Sequence, residues 1–534
     1  MTTPLNLRPA LAQHLQQRLQ AFRDGFRQNL AILGPHGSGK TFQLRQLTAQ
    51  AQGAWLSIYC PLYRESCRSF LQRFLCSVLQ AADLQPDAAA AMTDQPLERL
   101  LHHTEGTLPK TAAAMRLIDG LIRRRLYGEA FNRALDTVPL LTEDTGRPSV
   151  LILDEFLFLE DLGLGHAFHE LGKRVMTWPS TLFVLSSSST FRARTILRER
   201  LQLLFGQFEL LTLGVLDDAP AASWVHQELK GVRGAAAVSP FLLRWLGTYP
   251  WYLALFLRRL KERAALSKTV LTPEALLLHA AWDVLGSPEG TLHQWCASRM
   301  EAVAQGRLGA RAVDALIHIA QGGRTATEVG KRIGRAGLSN VLQVLVEHDL
   351  AQRNGMCWIV PDPVLRCWLS AILSAQRADT GRQGLELRSR FERYLRELWT
   401  RWSEADRLSF SEQVVHLFSQ FADDTVSLDS KIGRLPKFER IKTERPTAPG
   451  ADAYLIADGP GRRWCATIQE GPADERAIAT FDAFCRTQTP RPSRKVVIMK
   501  SSMDQNAKLL AKAANMWVWE AEELGALMRL YGSF

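Results

Sequence analysis

Gly34-Pro35-His36-Gly37-Ser38-Gly39-Lys40-Thr41 fits the pattern G-x-x-x-x-G-K-[ST] at every fixed position. The residue types follow from one task, holding phosphate. Glycines let backbone N–H groups turn inward and approach an anion closely. A lysine at this place reaches the β- and γ-phosphates of a nucleotide, and the threonine hydroxyl ligates Mg²⁺. The flanks agree. Asn29–Leu33 reads as a short buried strand and Thr41–Leu47 as a helix whose N-terminus faces the anion. A chance glycine-rich turn is the alternative, and strand, loop and helix together argue against it.

Such a loop needs acid on a neighbouring strand, and Ser149-Val150-Leu151-Ile152-Leu153-Asp154-Glu155 supplies it. The apolar run suits a strand buried on both faces of a parallel sheet. Asp154 is expected to hold Mg²⁺ through water, and Glu155 to orient or deprotonate an attacking water. Thr181–Leu185 is a further buried strand, ending in Ser186-Ser187-Ser188-Ser189. Ser187 is the candidate there for contact with the γ-phosphate; a plain serine-rich turn is the other reading. Ala54–Tyr59 and Phe208–Leu213 complete the strand set, and residues 85–94, rich in Ala and Asp, read as a loop. Strands alternating with helices at this spacing predict an α/β domain with a parallel sheet.

The chain has 534 residues, is 46% hydrophobic and 22% charged, and carries a formal charge of +11. That length suits about three or four domains, and the composition is that of a globular protein. No apolar run reaches membrane-spanning length. The first residues lack the layout of a signal peptide. The eight cysteines form no Cys-x-x-Cys pair, which argues against a zinc site and a disulfide framework. A cytoplasmic protein without membrane contact is expected. The basic balance permits nucleic-acid contact but equally suits an arginine-rich genome. The run Arg123-Arg124-Arg125 divides the same way, as a solvated helix face or a nucleic-acid contact.

Residues 1–214 read as the nucleotide-binding core and 215–305 as a helical lid, with a helix break at Leu246–Leu253. Residues 306–372 read as a winged helix: three helices, the second opened by a Thr325–Glu328 capping box, then a hairpin turning at Asn354-Gly355. Its third helix offers Ser339, Asn340 and Gln343, while Lys331, Arg332, Arg335 and Arg353 suit phosphates of double-stranded DNA. Packing or protein contact alone is the rival use of such a module. Residues 373–386 read as a linker and 387–534 as a second α/β unit.

With these pieces placed, the chain resembles the archaeal-type P-loop ATPases, relatives of the AAA+ and STAND groups close to the origin-recognition branch. The resemblance rests on Gly34–Thr41, on Leu151–Phe156, on Gly247–Leu253 and on Asp362-Pro363-Val364-Leu365-Arg366-Cys367-Trp368 after the hairpin. It implies ATP and Mg²⁺ as ligands. It also implies a C-terminal domain similar to restriction endonucleases, with Glu392, Asp452 and Gln469 at the degenerate nuclease positions. Gly471 stands where that family carries lysine, so cleavage is not expected. A family arginine before the last strand, a candidate finger for the γ-phosphate, is matched by Gln207 in Leu204-Phe205-Gly206-Gln207. Arg198 and Arg200 on the preceding helix are the candidates to replace it. The expected protein is a slow ATPase switch coupled to DNA binding, to homo-oligomer formation or to a protein partner. A nucleotide-gated scaffold that touches no DNA is the main alternative, and an ATP-regulated nuclease the lesser one.

Overall fold

The computed structural model describes residues 7–50, 55–82, 104, 106–199, 207–232, 234, 236–267, 271–378, 385–428, 431–446 and 451–531. The expected loop at 85–94, Arg200, Leu204–Gly206 and residues 379–384 of the expected linker lie outside them. The chain divides into two compact units. Unit 1 holds Met1–Glu228, Leu246–Leu257 and Glu347–Asp349, and unit 2 holds Leu229–Trp245, Arg258–Val346 and Leu350–Phe534. The segment expected as a lid thus contributes to both.

Unit 1 is built on five parallel strands, β1 Asn29–Leu33, β2 Leu56–Pro61, β3 Ser149–Asp154, β4 Thr181–Ser187 and β5 Phe208–Thr212. Their order is β2-β3-β4-β1-β5, with register set by pairs such as Ile32↔Ser186 and Leu153↔Leu185. Successive side chains of a strand point to opposite faces, and the two cores follow that rule. Leu151 and Leu153 of β3 and Phe183 and Leu185 of β4 join one cluster, packed by helices Cys67–Gln80, Pro109–Arg123, Tyr127–Thr145 and Ala167–Thr177. Val150, Ile152, Leu182 and Val184 join the other, packed by helices Pro9–Arg23 and Lys40–Gln50. Helices on both sides explain why β3 and β4 are apolar without alternation. The domain is an α/β P-loop fold.

Unit 2 begins with helices and then carries Gly309–Ala320, Ala326–Ile333 and Leu338–Glu347, the last ending across the unit boundary. The Thr325–Glu328 capping box forms with both of its bonds. The hairpin β6 Gln352–Asn354 and β7 Cys357–Ile359 follows. Asn354 pairs with Cys357, so the two-residue turn is Gly355-Met356, one residue later than the sequence suggests. Gly355 takes φ +62°, the left-handed conformation such turns need.

The C-terminal strands are β8 Asp424–Leu428, β9 Lys431–Leu435, β10 Arg440–Glu444, β11 Ala453–Gly459, β12 Arg462–Gln469, β13 Arg494–Met499 and β14 Met516–Trp519. The last five form one sheet in the order β10-β11-β12-β13-β14, and β8 and β9 pair separately. β10, β11 and β12 run antiparallel, and β12, β13 and β14 parallel. Leu455, Ala466 and Ile498 face helices Phe410–Ser419 and Ala521–Tyr531, while Ile456, Cys465 and Val497 face Glu475–Thr487 and Gln505–Ala513. Among the described residues no helix is long and apolar enough to cross a membrane.

Candidate nucleotide-binding site

β1 delivers the chain to Gly34, whose N–H donates to Ser187 O at 3.2 Å and so anchors the loop to β4. A Cβ at Gly34 would fall 2.2 Å from Leu213 O, so this position admits no side chain. Gly37 and Gly39 take φ +79° and +95°, the region that turns consecutive N–H groups to one side. The helix Lys40–Gln50 then starts with its free N–H groups at the loop. Ser38 is buried, and its Oγ has no hydrogen-bond partner.

Lys40 is only 4% exposed. Its Nζ donates to Gly34 O at 2.8 Å, Pro35 O at 3.1 Å and Ser188 Oγ at 2.8 Å, with Glu155 Oε1 at 3.9 Å. Desolvation lowers the Lys40 pKa, against the opposing fields of Glu155 and Asp154. Asp154, at the end of β3, is wrapped by hydroxyls. Thr41 Oγ1 and Tyr59 OH each donate at 2.8 Å to Oδ2, and Ser186 Oγ donates to Oδ1. Desolvation, then the Asp154 charge, pushes the Tyr59 phenol far up, so it stays a donor. Glu155 follows with φ +59°. Its Oε2 accepts from Ser188 N at 2.8 Å and its Oε1 from the Ser188 hydroxyl.

These groups fit a nucleotide and its cation. The loop leaves a buried ammonium hydrogen-bonded only to neutral oxygens, with the nearest carboxylate oxygen 3.9 Å away, and a buried hydroxyl without a partner. Thr41 and Asp154 lie in direct contact, so one divalent ion has both an alcohol and a carboxylate oxygen to hand. The helix Pro250–Leu266 starts against the loop. Trp251 N donates to Gly37 O at 3.2 Å, and the Trp251 ring meets His36 edge-on at 4.8 Å. Thr248 and Leu216 tie this helix start to the strand that leaves β5, through Leu216 N to Thr248 O at 2.9 Å.

Residues 5–162 match the family model described as the AAA ATPase domain. Those residues hold the phosphate loop and the acidic end of β3. The chain is similar to the Walker-type ATPase of Pyrococcus abyssi, at 13% identity over 68% of this chain and 95% of that one, TM-score 0.48. It is similar to the ORC2 protein of Aeropyrum pernix in its ADPNP-ADP complexes, at 15% identity, 70% and 96% coverage, TM-score 0.43. It is also similar to the RuvB branch migration motor of Thermotoga maritima, at 12%, 66% and 92%, TM-score 0.31. No curated protein matches the chain.

Within the AAA domain the structure brings together Gly34 to Thr41, Asp154 and Glu155. It treats Ser187 differently from expectation. The Ser187 hydroxyl turns back on its own strand end, accepting from Ser189 N at 3.1 Å, and the residue bonded to both Lys40 and Glu155 is Ser188. Four serines in a row gave the sequence no way to choose among them; the register β1 to β4 makes the choice. Tyr59 was missed as well, since an alternating β2 reads as ordinary strand. Arg198 is exposed and paired with its neighbour Glu199 at 2.9 Å rather than with the loop, and Arg200 lies outside the described residues. Gln207 keeps a buried Oε1 without a partner.

In unit 2, Lys331, Arg332, Arg335, Ser339, Asn340 and Gln343 are exposed. Arg353 is exposed too, but its Nε donates to Gly355 O at 2.8 Å, folding it back on its own turn. The nuclease positions are not assembled as the sequence suggested. Glu392 pairs with Arg388 at 2.8 Å and Arg396 at 3.6 Å on its own helix, Leu385–Asp406. That helix packs on Pro273–Ala281 and Trp282–Gly286, and the helix beneath the C-terminal sheet is Phe410–Ser419. An amphipathic period looks the same whichever neighbour it meets, so the sequence misassigned the helix. Asp452 Oδ2 accepts from Glu470 N at 2.6 Å, and Gln469 is buried with neither polar atom bonded.

Proposed function

We propose that this protein is an Mg²⁺-dependent, ATP-binding and ATP-hydrolysing switch of the cytoplasm. Its nucleotide state would govern DNA engagement or assembly with a partner. The carrying observation is Lys40, an ammonium almost fully removed from water, hydrogen-bonded to two carbonyls and one hydroxyl, with the Glu155 carboxylate only at 3.9 Å. Burying a charge this way is unfavourable unless a strong anion also comes to it. Triphosphate oxygens are that anion, and the loop N–H groups complete their coordination. Thr41 and Asp154 would hold Mg²⁺, which neutralises phosphate charge. Glu155 would take the water, and Ser188, now shared between Lys40 and Glu155, would be released when phosphate claims the lysine. Removing the ammonium deletes charge-assisted hydrogen bonds worth about 1.5–3 kcal/mol each. Lys40→Ala should therefore weaken ATP binding at least about 100-fold with the fold intact. Equal ATP affinity in a folded Lys40→Ala protein would remove the basis of this reading.

A second reading has its own support. The hairpin turn expected to approach DNA is docked within unit 2. Met356 N donates to Thr425 O at 2.8 Å, and Ser427 N to Asn354 Oδ1 at 2.7 Å. DNA contact would then rest on Leu338–Glu347 and the cations before it, without the wing. A nucleotide-gated interaction protein that touches no DNA accounts for that docking equally well. Binding of labelled duplex by the full chain, titrated with salt and repeated with ATP and Mg²⁺, separates the two; absence of binding at low salt in every state selects the scaffold.

A further inference from the structure

Unit 2 contains a cleft of about 950 Å³ between helices Gly309–Ala320, Ala326–Ile333, Ser374–Ala378 and Leu385–Asp406. That volume lies near the upper end of small-molecule sites, about 300–1,000 Å³. Its lining is charged in one sense. Arg311, Arg332, Arg377, Arg390 and Arg393 face it, against the carboxylates Asp314 and Glu397. Three of the five guanidiniums are committed. Arg311 Nη2 donates to Gly334 O at 3.1 Å and Ala336 O at 2.7 Å, fixing the turn after Ala326–Ile333. Arg377 pairs with Asp314, and Arg390 with Glu386 at 2.9 Å. Arg332 and Arg393 make no hydrogen bond or ion pair with any described residue.

Like charges lining one cleft repel, and two guanidiniums without partners are an arrangement that an anion relieves. Guanidinium is a planar fork matched to phosphate oxygens. We infer that this cleft binds an anion carrying two or more phosphate groups, held by Arg332 and Arg393. A phosphorylated small molecule and the backbone of a single nucleic-acid strand share that chemistry. The cleft shares no residue with the nucleotide site of unit 1, and only Arg332 belongs also to the cations placed near the Leu338–Glu347 helix.

The test uses the full chain carrying Lys40→Ala, so that the P-loop contributes little phosphate affinity. Two probes are titrated at roughly 50 mM salt: inorganic tripolyphosphate by calorimetry and a short labelled oligodeoxythymidine by anisotropy. At least one should bind. Arg332→Ala and Arg393→Ala should each weaken that probe about threefold or more, the scale of one partly exposed charge contact. Glu397→Gln, which removes a carboxylate from the lining, should tighten it about twofold, a gain that misfolding cannot produce. Response to tripolyphosphate assigns the site to a small phosphorylated molecule, and response to the oligonucleotide alone assigns it to a strand. Binding of neither probe, or a bound probe indifferent to Arg393→Ala, overturns the inference.

Discussion

Lys40 sets the chemistry at the scale of single residues. Burial lowers its pKa below the ordinary lysine value, and phosphate at Nζ favours the charged form and raises it again. Between those two values nucleotide binding must therefore take up a proton. Affinity for ATP should fall as pH rises through that window and be flat below it. Calorimetry in two buffers of different ionisation enthalpy reads the proton count directly; a count of zero at every pH below the ordinary lysine value contradicts the assignment. Glu155 offers a separate prediction. Glu155→Gln keeps the shape and an oxygen to accept from Ser188 N, but loses the base. ATP affinity should stay within about threefold while turnover falls by about 10²–10⁴. Turnover at the parent rate would move the catalytic role elsewhere.

At the scale of elements, space around the glycines separates those that build the site from those that do not. Gly34→Ala would drive a Cβ to 2.2 Å from the Leu213 carbonyl oxygen, a backbone atom that no side-chain rotation moves away. Overpacking of this kind costs about 3 kcal/mol or more, and a sharp fall in melting temperature with loss of nucleotide binding is expected. Gly120 is the contrast. It lies within the helix Pro109–Arg123, and a Cβ there meets nothing within 4 Å. Gly120→Ala should stabilise the protein by about 0.5–1 kcal/mol, because alanine loses less backbone entropy in a helix. Denaturant melts of both variants check the pair; equal and opposite-to-expected shifts would mean the loop relaxes more freely than its packing implies.

For the whole molecule, the open question is what unit 2 does with its positive charge. If duplex DNA docks on the Leu338–Glu347 helix, Arg335, which has no partner among the described residues, should make a phosphate contact. Arg335→Ala should then flatten the log–log salt dependence of binding by about 1 and weaken all sequences alike. Arg353, folded back on Gly355, should change the slope less. A larger loss from Arg353→Ala than from Arg335→Ala would show that the docked turn opens on DNA.

The sequence alone determined the P-loop, the acidic strand end and the parallel sheet around them. Each is a local device: a glycine-lysine spacing, an apolar run buried on both faces, an acid at a strand end. Such devices depend on neighbours in sequence, and β1 and β3 fall where the residues place them. Tertiary structure decided the rest. Ser188 rather than Ser187 meets Lys40 because parallel register, invisible in a run of four serines, sets which hydroxyl faces the loop. Glu392 stays away from the C-terminal sheet because a helix face names no partner until packing chooses one. The arginine cleft was equally hidden, since its cations come from four helices spread over more than eighty residues, and only the fold brings like charges from distant sequence to one cleft.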